Sequence, residues 1–350
     1  MQAFALTIPK TDALDWVASL RQKGDVIAPV AGPCGEPMFS EIDSPDQILW
    51  NFENPLVPPK RFVLPQTDPL VRIQRDDRQT TVSSVADNRR RYLFNVRSCD
   101  ARGIAFLTRM HETPPPDTRW LRRAANLTVI TLACSTPCAQ GFCICSDSGP
   151  FLRSDFDIQL TEIGKTYLAE IVTEKGAAAL AGALPLFNPA TEGDIERRNG
   201  LEAEARRHFG AQTCHFASAM RRISTGRVDD ALWDRMSDWC LECGGCTYIC
   251  PTCYCFSVRD RGGDGDWTRC RVWDSCQYAT FTLEASGHNP RARQRSRMKR
   301  RFYHKVSAQY YVRDALPGCV GCGRCTRVCP GAANMPAVVA AIRQGAWHAN

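Results

Sequence analysis

Two stretches carry the residues best suited to chemistry. The first reads Cys240-Leu-Glu-Cys243-Gly-Gly-Cys246-Thr-Tyr-Ile-Cys250-Pro251, and the second Cys319-Val-Gly-Cys322-Gly-Arg-Cys325-Thr-Arg-Val-Cys329-Pro330. Both fit C-x2-C-x2-C-x3-C-P, a spacing with which thiolates hold [4Fe–4S] clusters. Two copies with the proline in register make chance a poor explanation. In this pattern three cysteines of one loop hold one cluster, and the fourth, ahead of the proline, holds the other. The expected sets are Cys240, Cys243, Cys246 and Cys329 for one cluster, and Cys319, Cys322, Cys325 and Cys250 for the other. Gly244, Gly245, Gly321 and Gly323 are expected to let the loop backbone approach each cube closely. The chemistry is one-electron transfer.

The chain has 350 residues and nineteen cysteines, many in tight pairs and triplets. That grouping reads as metal ligation rather than a disulfide framework. Reduced thiolates point to the cytoplasm. No signal peptide, twin arginine or apolar run of about 18 residues is seen, so no direct membrane insertion is expected.

The elements that must position these cysteines can be read upstream. Residues 11–23 form an amphipathic pattern with Leu14, Trp16, Val17 and Leu20 on one side, which predicts a helix. Residues 26–30 suit a short strand. Six prolines between 45 and 69 predict an extended wrapping segment. Residues 91–99 read as a strand, followed by a helix with Asp100 as N-cap. Residues 126–134 are almost wholly apolar, as in a strand covered on both faces. Both strands end in a cysteine, and ligands in open α/β sheets bind at the carboxyl ends of strands. A glycine-containing loop, Pro137-Cys138-Ala-Gln-Gly-Phe-Cys143-Ile-Cys145, follows directly. Cys99, Cys134, Cys143 and Cys145 could therefore form a third four-cysteine site, or two or more of them could simply pack in the core. Residues 156–172 read as a hairpin turning at Gly164-Lys165. Helical stretches follow at 176–184 and 190–208, and a further helix at 231–239 leads into the first cysteine motif.

The formal charge is +7. Each bound cluster with four thiolates adds about −2 to this count, so three would leave about +1. The basic run Asn289 to Lys305 raises nucleic-acid binding as a reading. The charge correction favours a basic helix beside anionic clusters, or one that docks an acidic partner, with no nucleic acid. There is no G-x-G-x-x-G after a strand, no Walker loop, no H-E-x-x-H and no G-x-S-x-G. A flavin is possible, since flavin sites often lack a short motif, but nothing indicates one.

Several local signatures together resemble one family. They are Val96-Arg-Ser-Cys99-Asp100, Cys134 with Cys143-Ile-Cys145 and Gly149-Pro150, Cys240 to Cys255, Trp273-Asp-Ser-Cys276, Gly287-His-Asn-Pro290 with Arg301-Phe-Tyr-His-Lys305, and Cys319 to Pro330. The chain resembles the β, electron-transfer, subunits of cytosolic NAD(P)-linked sulfhydrogenases, which are NiFe hydrogenases. It is also similar to the A subunit of anaerobic sulfite reductase. The resemblance implies a relay subunit between an NAD(P)H-binding flavoprotein and a catalytic subunit, a hydrogenase first and a sulfite or sulfur reductase next. It also favours the third cluster, because the family has cysteines at all four positions. The chain departs from the family at Phe142 and Ile144, and Cys138 and Cys270 look extra. Cys253, Cys255 and Cys276 keep open roles.

The expected architecture is an α/β N-terminal domain with a mixed sheet over residues 1–225. An α-helical bacterial two-cluster ferredoxin-type domain follows over 226–350, with a long insertion at about 256–316. The rival reading is a self-contained flavin-dependent iron–sulfur oxidoreductase with the flavin on the N-terminal domain.

Overall fold

The apolar run after Asn126 becomes a central strand of an eight-stranded sheet. A computed structural model describes residues 3–209 and 214–347. The strands are β1 (Phe4–Pro9), β2 (Asp25–Ala31), β3 (Pro37–Glu41), β4 (Thr67–Arg75), β5 (Thr80–Ser84) and β6 (Arg91–Val96). They continue with β7 (Leu127–Leu132), β8 (Ile158–Glu162), β9 (Thr166–Ile171), β10 (Asn188–Pro189), β11 (Phe256–Gly263) and β12 (Asp266–Trp273). The large sheet has the order β10-β1-β9-β8-β7-β6-β2-β3. Its centre, β8-β7-β6-β2, is parallel, and antiparallel strands flank it on both sides. The sheet is therefore mixed, as expected. Every residue of β6 and β7 is buried, because helices cover both faces.

On one face, α1 (Ala13–Arg21) and α4 (Glu174–Leu180) bring Trp16, Val17, Leu20 and Leu180 onto Phe94, Ile130 and Ile158. On the other, α2 (Ser98–Glu112) and α3 (Thr118–Ala125) bring Phe106, Leu107 and Trp120 onto Leu93, Val96 and Val129. β6 is shorter than expected. Asn95 takes φ 56° and the pairing with β7 shifts register there, a bulge that bends the strand end. Cys99 therefore lies on the first turn of α2, not on the strand. Arg97 is the N-cap of that helix, and Asp100 sits inside it.

The C-terminal region is helical. After α5 (Glu192–His208) come α6 (Phe216–Ser224), α7 (Asp230–Ser237), α8 (Gly245–Tyr248), α9 (Gln294–Val306), α10 (Ala308–Asp314), α11 (Arg324–Val328) and α12 (Met335–Gln344). Phe216, Ile223, Trp233, Phe302, Val338 and Ile342 share one core. That core takes in α6, which precedes residue 225.

The insertion does not form a unit of its own. Its hairpin β11–β12 pairs with the hairpin β4–β5 to give a second, wholly antiparallel sheet, β11-β12-β4-β5. The expected boundary near 225 is thus crossed by a strand pairing. Asp68, fully buried, holds the seam by accepting from Arg123 at 2.6 Å and from Arg271 at 2.7 Å. Arg271 also pairs with Asp117. No helix among the described residues is long and apolar enough to cross a membrane.

His111 stacks on Trp120 at 4.6 Å, and its Nε2 is buried without a hydrogen-bond partner. Burial pushes its pKa down from 6.5 to about 4, against the opposing pull of Asp117. The unfolded chain therefore takes up this proton first as pH falls, so the contribution is present above pH 6.5 and is lost between 6.5 and 4. His111→Phe keeps the stacking and removes the titration. Denaturant melts at pH 7 and pH 4.5 should show a smaller acid loss than in the parent, by up to about 3 kcal/mol.

Candidate metal centres

Each cysteine motif folds as a loop entering a short helix, and the two loops share one backbone shape. Their third positions, Glu242 and Gly321, have φ 53° and 60°, and their fifth, Gly244 and Gly323, φ 73° and 76°. Gly244 and Gly323 are the N-caps of α8 and α11, both with ψ −10°. The repeat legible in the sequence is a repeat of conformation.

Cys240, Cys243, Cys246 and Cys329 line a single cavity, with Met298 and Arg301 on its wall. Cys329, from the second motif, thus completes the first loop. Cys319 has Cys325, Cys250 and Cys322 as its sulfur neighbours, and Cys322 has Cys250 and Cys325. Cys250 crosses in the opposite sense. Burial pushes the Cys246 and Cys322 thiols up to about 12. Such groups keep their protons unless a metal replaces them, as coordination deprotonates a thiol outright.

The glycines do more than fit a cube. A Cβ on Gly323 would lie 2.3 Å from the Gln140 carbonyl oxygen, and one on Gly321 would lie 2.5 Å from that of Phe142. A Cβ on Gly244 would meet the Tyr278 hydroxyl at 2.7 Å, while Gly245 has no contact closer than 3.7 Å. Three of the four glycines thus admit a neighbouring segment. For Gly321 and Gly323 it is the N-terminal cysteine loop, and the Phe142 N–H donates to the Gly321 carbonyl at 2.7 Å.

That loop is the crossover between parallel strands β7 and β8. Cys143 has Cys134, Cys138 and Cys322 as neighbours, Cys99 has Cys322 and Cys143, and Cys134 has Cys138. Three of the four expected cysteines, Cys99, Cys134 and Cys143, thus come together beside Cys138. Cys145 faces elsewhere. Its sulfur accepts the Cys214 N–H at 2.9 Å, and it packs on the helical core. The cause is local: residues Cys143–Ser146 make one tight 3-10 turn, which aims residues two apart in different directions. Nothing in the cysteine spacing distinguishes Cys138 from Cys145.

Asp100 and Arg324 bind the N-terminal site to the second motif. Arg324 donates to both carboxylate oxygens, at 2.6 and 2.8 Å, and its Nε donates to the Pro55 carbonyl at 2.6 Å. Both side chains are fully buried. The proline-rich segment wraps as expected: Asn54 donates to the Cys322 carbonyl at 2.7 Å, and Lys60 to the Cys253 carbonyl at 2.7 Å.

The basic run forms α9, and its stripe Arg297, Arg301, Lys305 is buried. Arg295 and Lys299 pair with Asp234 and Asp230 at 2.7 and 3.3 Å. Arg301, Lys305 and Lys60 have no carboxylate ion pair among the described residues, and Arg301 Nε has no hydrogen-bond partner. Burial opposes the charge of Lys305, yet Cys250 and Cys253 hold its pKa above the ordinary value. Burial also opposes the charge of Arg301, yet Cys246 and Cys325 raise its pKa. Burial lowers Lys60 to about 8. An all-cysteine donor set ringed by buried cations fits anionic iron–sulfur clusters.

The comparisons with known proteins agree with this chemistry. The family model of a 4Fe-4S dicluster domain matches residues 239–333. Over 314 residues the chain is 31% identical to sulfhydrogenase 2 subunit beta of Pyrococcus furiosus, which covers 88% of this chain and 89% of that protein.

Removing either partner of the Asp100–Arg324 pair leaves a buried charge alone. Asp100→Leu and Arg324→Met should each lower stability by about 3–5 kcal/mol in denaturant melts, and the double variant should lose less than the sum of the two.

Proposed function

The chain belongs to the family of sulfhydrogenase beta subunits, and on that premise we propose that it relays electrons between an NAD(P)H-handling flavoprotein subunit and a catalytic subunit. A hydrogenase is the first choice for the catalytic subunit, and a sulfite or sulfur reductase the next. The observation that carries the reading is an unbroken succession of cysteine groups. Cys143 and Cys99 neighbour Cys322 of the second set, and Cys325 of that set neighbours Cys246 of the first.

Three clusters fit this succession. Cys240, Cys243, Cys246 and Cys329 would hold the first, and Cys319, Cys322, Cys325 and Cys250 the second. Cys99, Cys134 and Cys143 would hold the third. Cys138 is favoured over Cys145 as its fourth thiolate, because Cys138 is the neighbour of Cys134 and Cys143. A bound [4Fe–4S] cluster supplies a one-electron couple whose potential follows local charge and hydrogen bonding. The chain contributes the rest. Arg301 lies between the first two sets, Lys305 beside Cys250, and the Gly321 N–H donates to Cys319 Sγ at 3.5 Å.

The series has two outward ends. Cys243 is exposed at one. At the other, Cys134 and Cys138 line an open cleft of about 1020 Å³ at the carboxyl edge of the sheet. A partner at each end completes the relay, and no nucleic acid takes part. The need for reduced thiolates places the complex in the cytoplasm.

The same cleft gives the rival reading its place. Trp50 and Tyr167 stack in its wall at 5.1 Å, and Arg97 and Arg197 also line it. In a self-contained oxidoreductase, a flavin would lie there.

Anaerobic purification of the single chain decides between these readings. The relay predicts about 12 irons per chain, at four per cluster, no flavin absorbance, and dye reduction by NAD(P)H only when the flavoprotein is added. About 8 irons would remove the third cluster. Bound flavin with NAD(P)H activity in the isolated chain would establish the rival.

A further inference from the structure

Among the described residues the two sheets end in four edge strands, β10, β3, β11 and β5. Three of them are blunted. β10 has two residues and ends in Pro189, β3 begins with Pro37 and ends with Glu41, and β11 carries Arg259, Asp260 and Arg261. Short length, proline and charge are what keep an edge from pairing with another chain. β5 has none of the last two. It reads Thr80-Thr81-Val82-Ser83-Ser84, all of its residues are exposed, and Val82 is 65% exposed.

The register shows which groups this edge offers. The Val85 N–H donates to the Leu70 carbonyl at 3.1 Å and the Asp76 N–H to the Gln79 carbonyl at 3.0 Å. Between these bonds β4 and β5 pair without a shift, with Ile73 opposite Val82. Residues in an antiparallel ladder alternate between bonded and non-bonded positions. Thr81 and Ser83 therefore bond to β4, while Thr80, Val82 and Ser84 point their N–H and C=O groups outward, where no strand of the described residues meets them. Val82 also lies in line with Ile73 and Trp267 across the strands, both half-buried. An apolar row thus crosses one face of the small sheet and stops at the free edge.

We propose that β5 pairs with β5 of a second copy of this chain, antiparallel about a two-fold axis through Val82. In that register Val82 faces Val82 of the second copy, Thr80 faces Ser84 and Thr81 faces Ser83. The outward groups of one copy meet those of the other, so Val82 with its counterpart and Thr80 with Ser84 each exchange two N–H···O bonds. A slip of one residue would set those groups against residues that face β4. Hydroxyl residues oppose hydroxyl residues, a favourable cross-strand pair, and the strand holds no charge to repel its copy. The row Trp267-Ile73-Val82 continues into its counterpart. A two-fold contact needs a patch that complements itself, and a strand with hydroxyl residues placed evenly about a central valine supplies one. It offers no charge by which an unrelated subunit would select it. No cysteine of the proposed cluster sets lies in β4, β5 or β12, so the pairing does not depend on how many clusters the chain holds.

The test uses the full-length chain, purified anaerobically with its clusters. Sedimentation velocity across the micromolar range should show a monomer–dimer equilibrium. Hydrogen exchange resolved to single amides should show Thr80, Val82 and Ser84 gaining protection as the dimer forms, while Thr81 and Ser83 are protected in the monomer too. Val82→Pro removes only an outward amide, so it should keep the parent iron content and weaken association at least about tenfold, for the two hydrogen bonds lost at the axis. A parent chain that stays monomeric overturns the proposal, as does a dimer in which the Thr80, Val82 and Ser84 amides exchange as fast as in the monomer, or one that survives Val82→Pro unweakened. Protection of these amides only when other subunits are added to a monomeric chain also overturns it, and assigns the edge to a strand of one of those subunits. The exchange and sedimentation of the parent chain decide the matter whether or not the variant folds.

Discussion

A fully buried ion pair sets the relation between the two halves of this chain. Asp100 belongs to the helix that follows β6, and Arg324 lies between two cysteines of the second motif. Neither charge reaches water, so each depends on the other for its counter-charge. A pair with two short, parallel hydrogen bonds tolerates little displacement. Because Cys99 precedes Asp100 and Cys322 and Cys325 flank Arg324, the same geometry fixes how the N-terminal cysteines meet the C-terminal ones. The third Arg324 bond, to Pro55, closes the wrapping segment over the junction.

Charge around the cysteines follows one design. Lys60, Arg301 and Lys305 come from two distant stretches and are all nearly inaccessible, at 2%, 6% and 4% exposure. In an apolar protein interior such cations would be costly. Beside clusters with a net negative charge they become counter-ions, and they favour the reduced, more negative state. The excess of basic residues in the composition is thus partly an internal feature, not a surface one.

The parts legible in the sequence were those set by local chemistry. The two cysteine motifs carry their loop shape in a dozen residues each. The strand β7 announces itself by an almost wholly apolar run, β6 by the short stretch Tyr92-Leu93-Phe94, and Trp16, Val17 and Leu20 by their spacing. What escaped depends on distant partners. Asp100 looks like an N-cap, but its carboxylate faces an arginine 224 residues away. Cys145 looks like the natural companion of Cys143, yet its sulfur meets the backbone of Cys214, 69 residues away. The hairpin β11–β12 had a local signal in Gly263-Asp264-Gly265, a common turn composition. Its pairing with β4 had none.

The pairing of β12 with β4 has a consequence for the order in which the molecule is made. β4 leaves the ribosome early, and the strand that covers its second edge follows after about 190 more residues, on the order of ten seconds or more of synthesis. Until then the nascent chain carries an open strand edge, the kind of surface on which chains stick to one another. The edge is blunted in its own sequence: Arg72, Gln74 and Arg75 make it polar, and Pro69 removes an amide. In the finished sheet β12 adapts to that proline by shifting register between Arg269 and Cys270. The irregular seam is the mark of a strand built to wait.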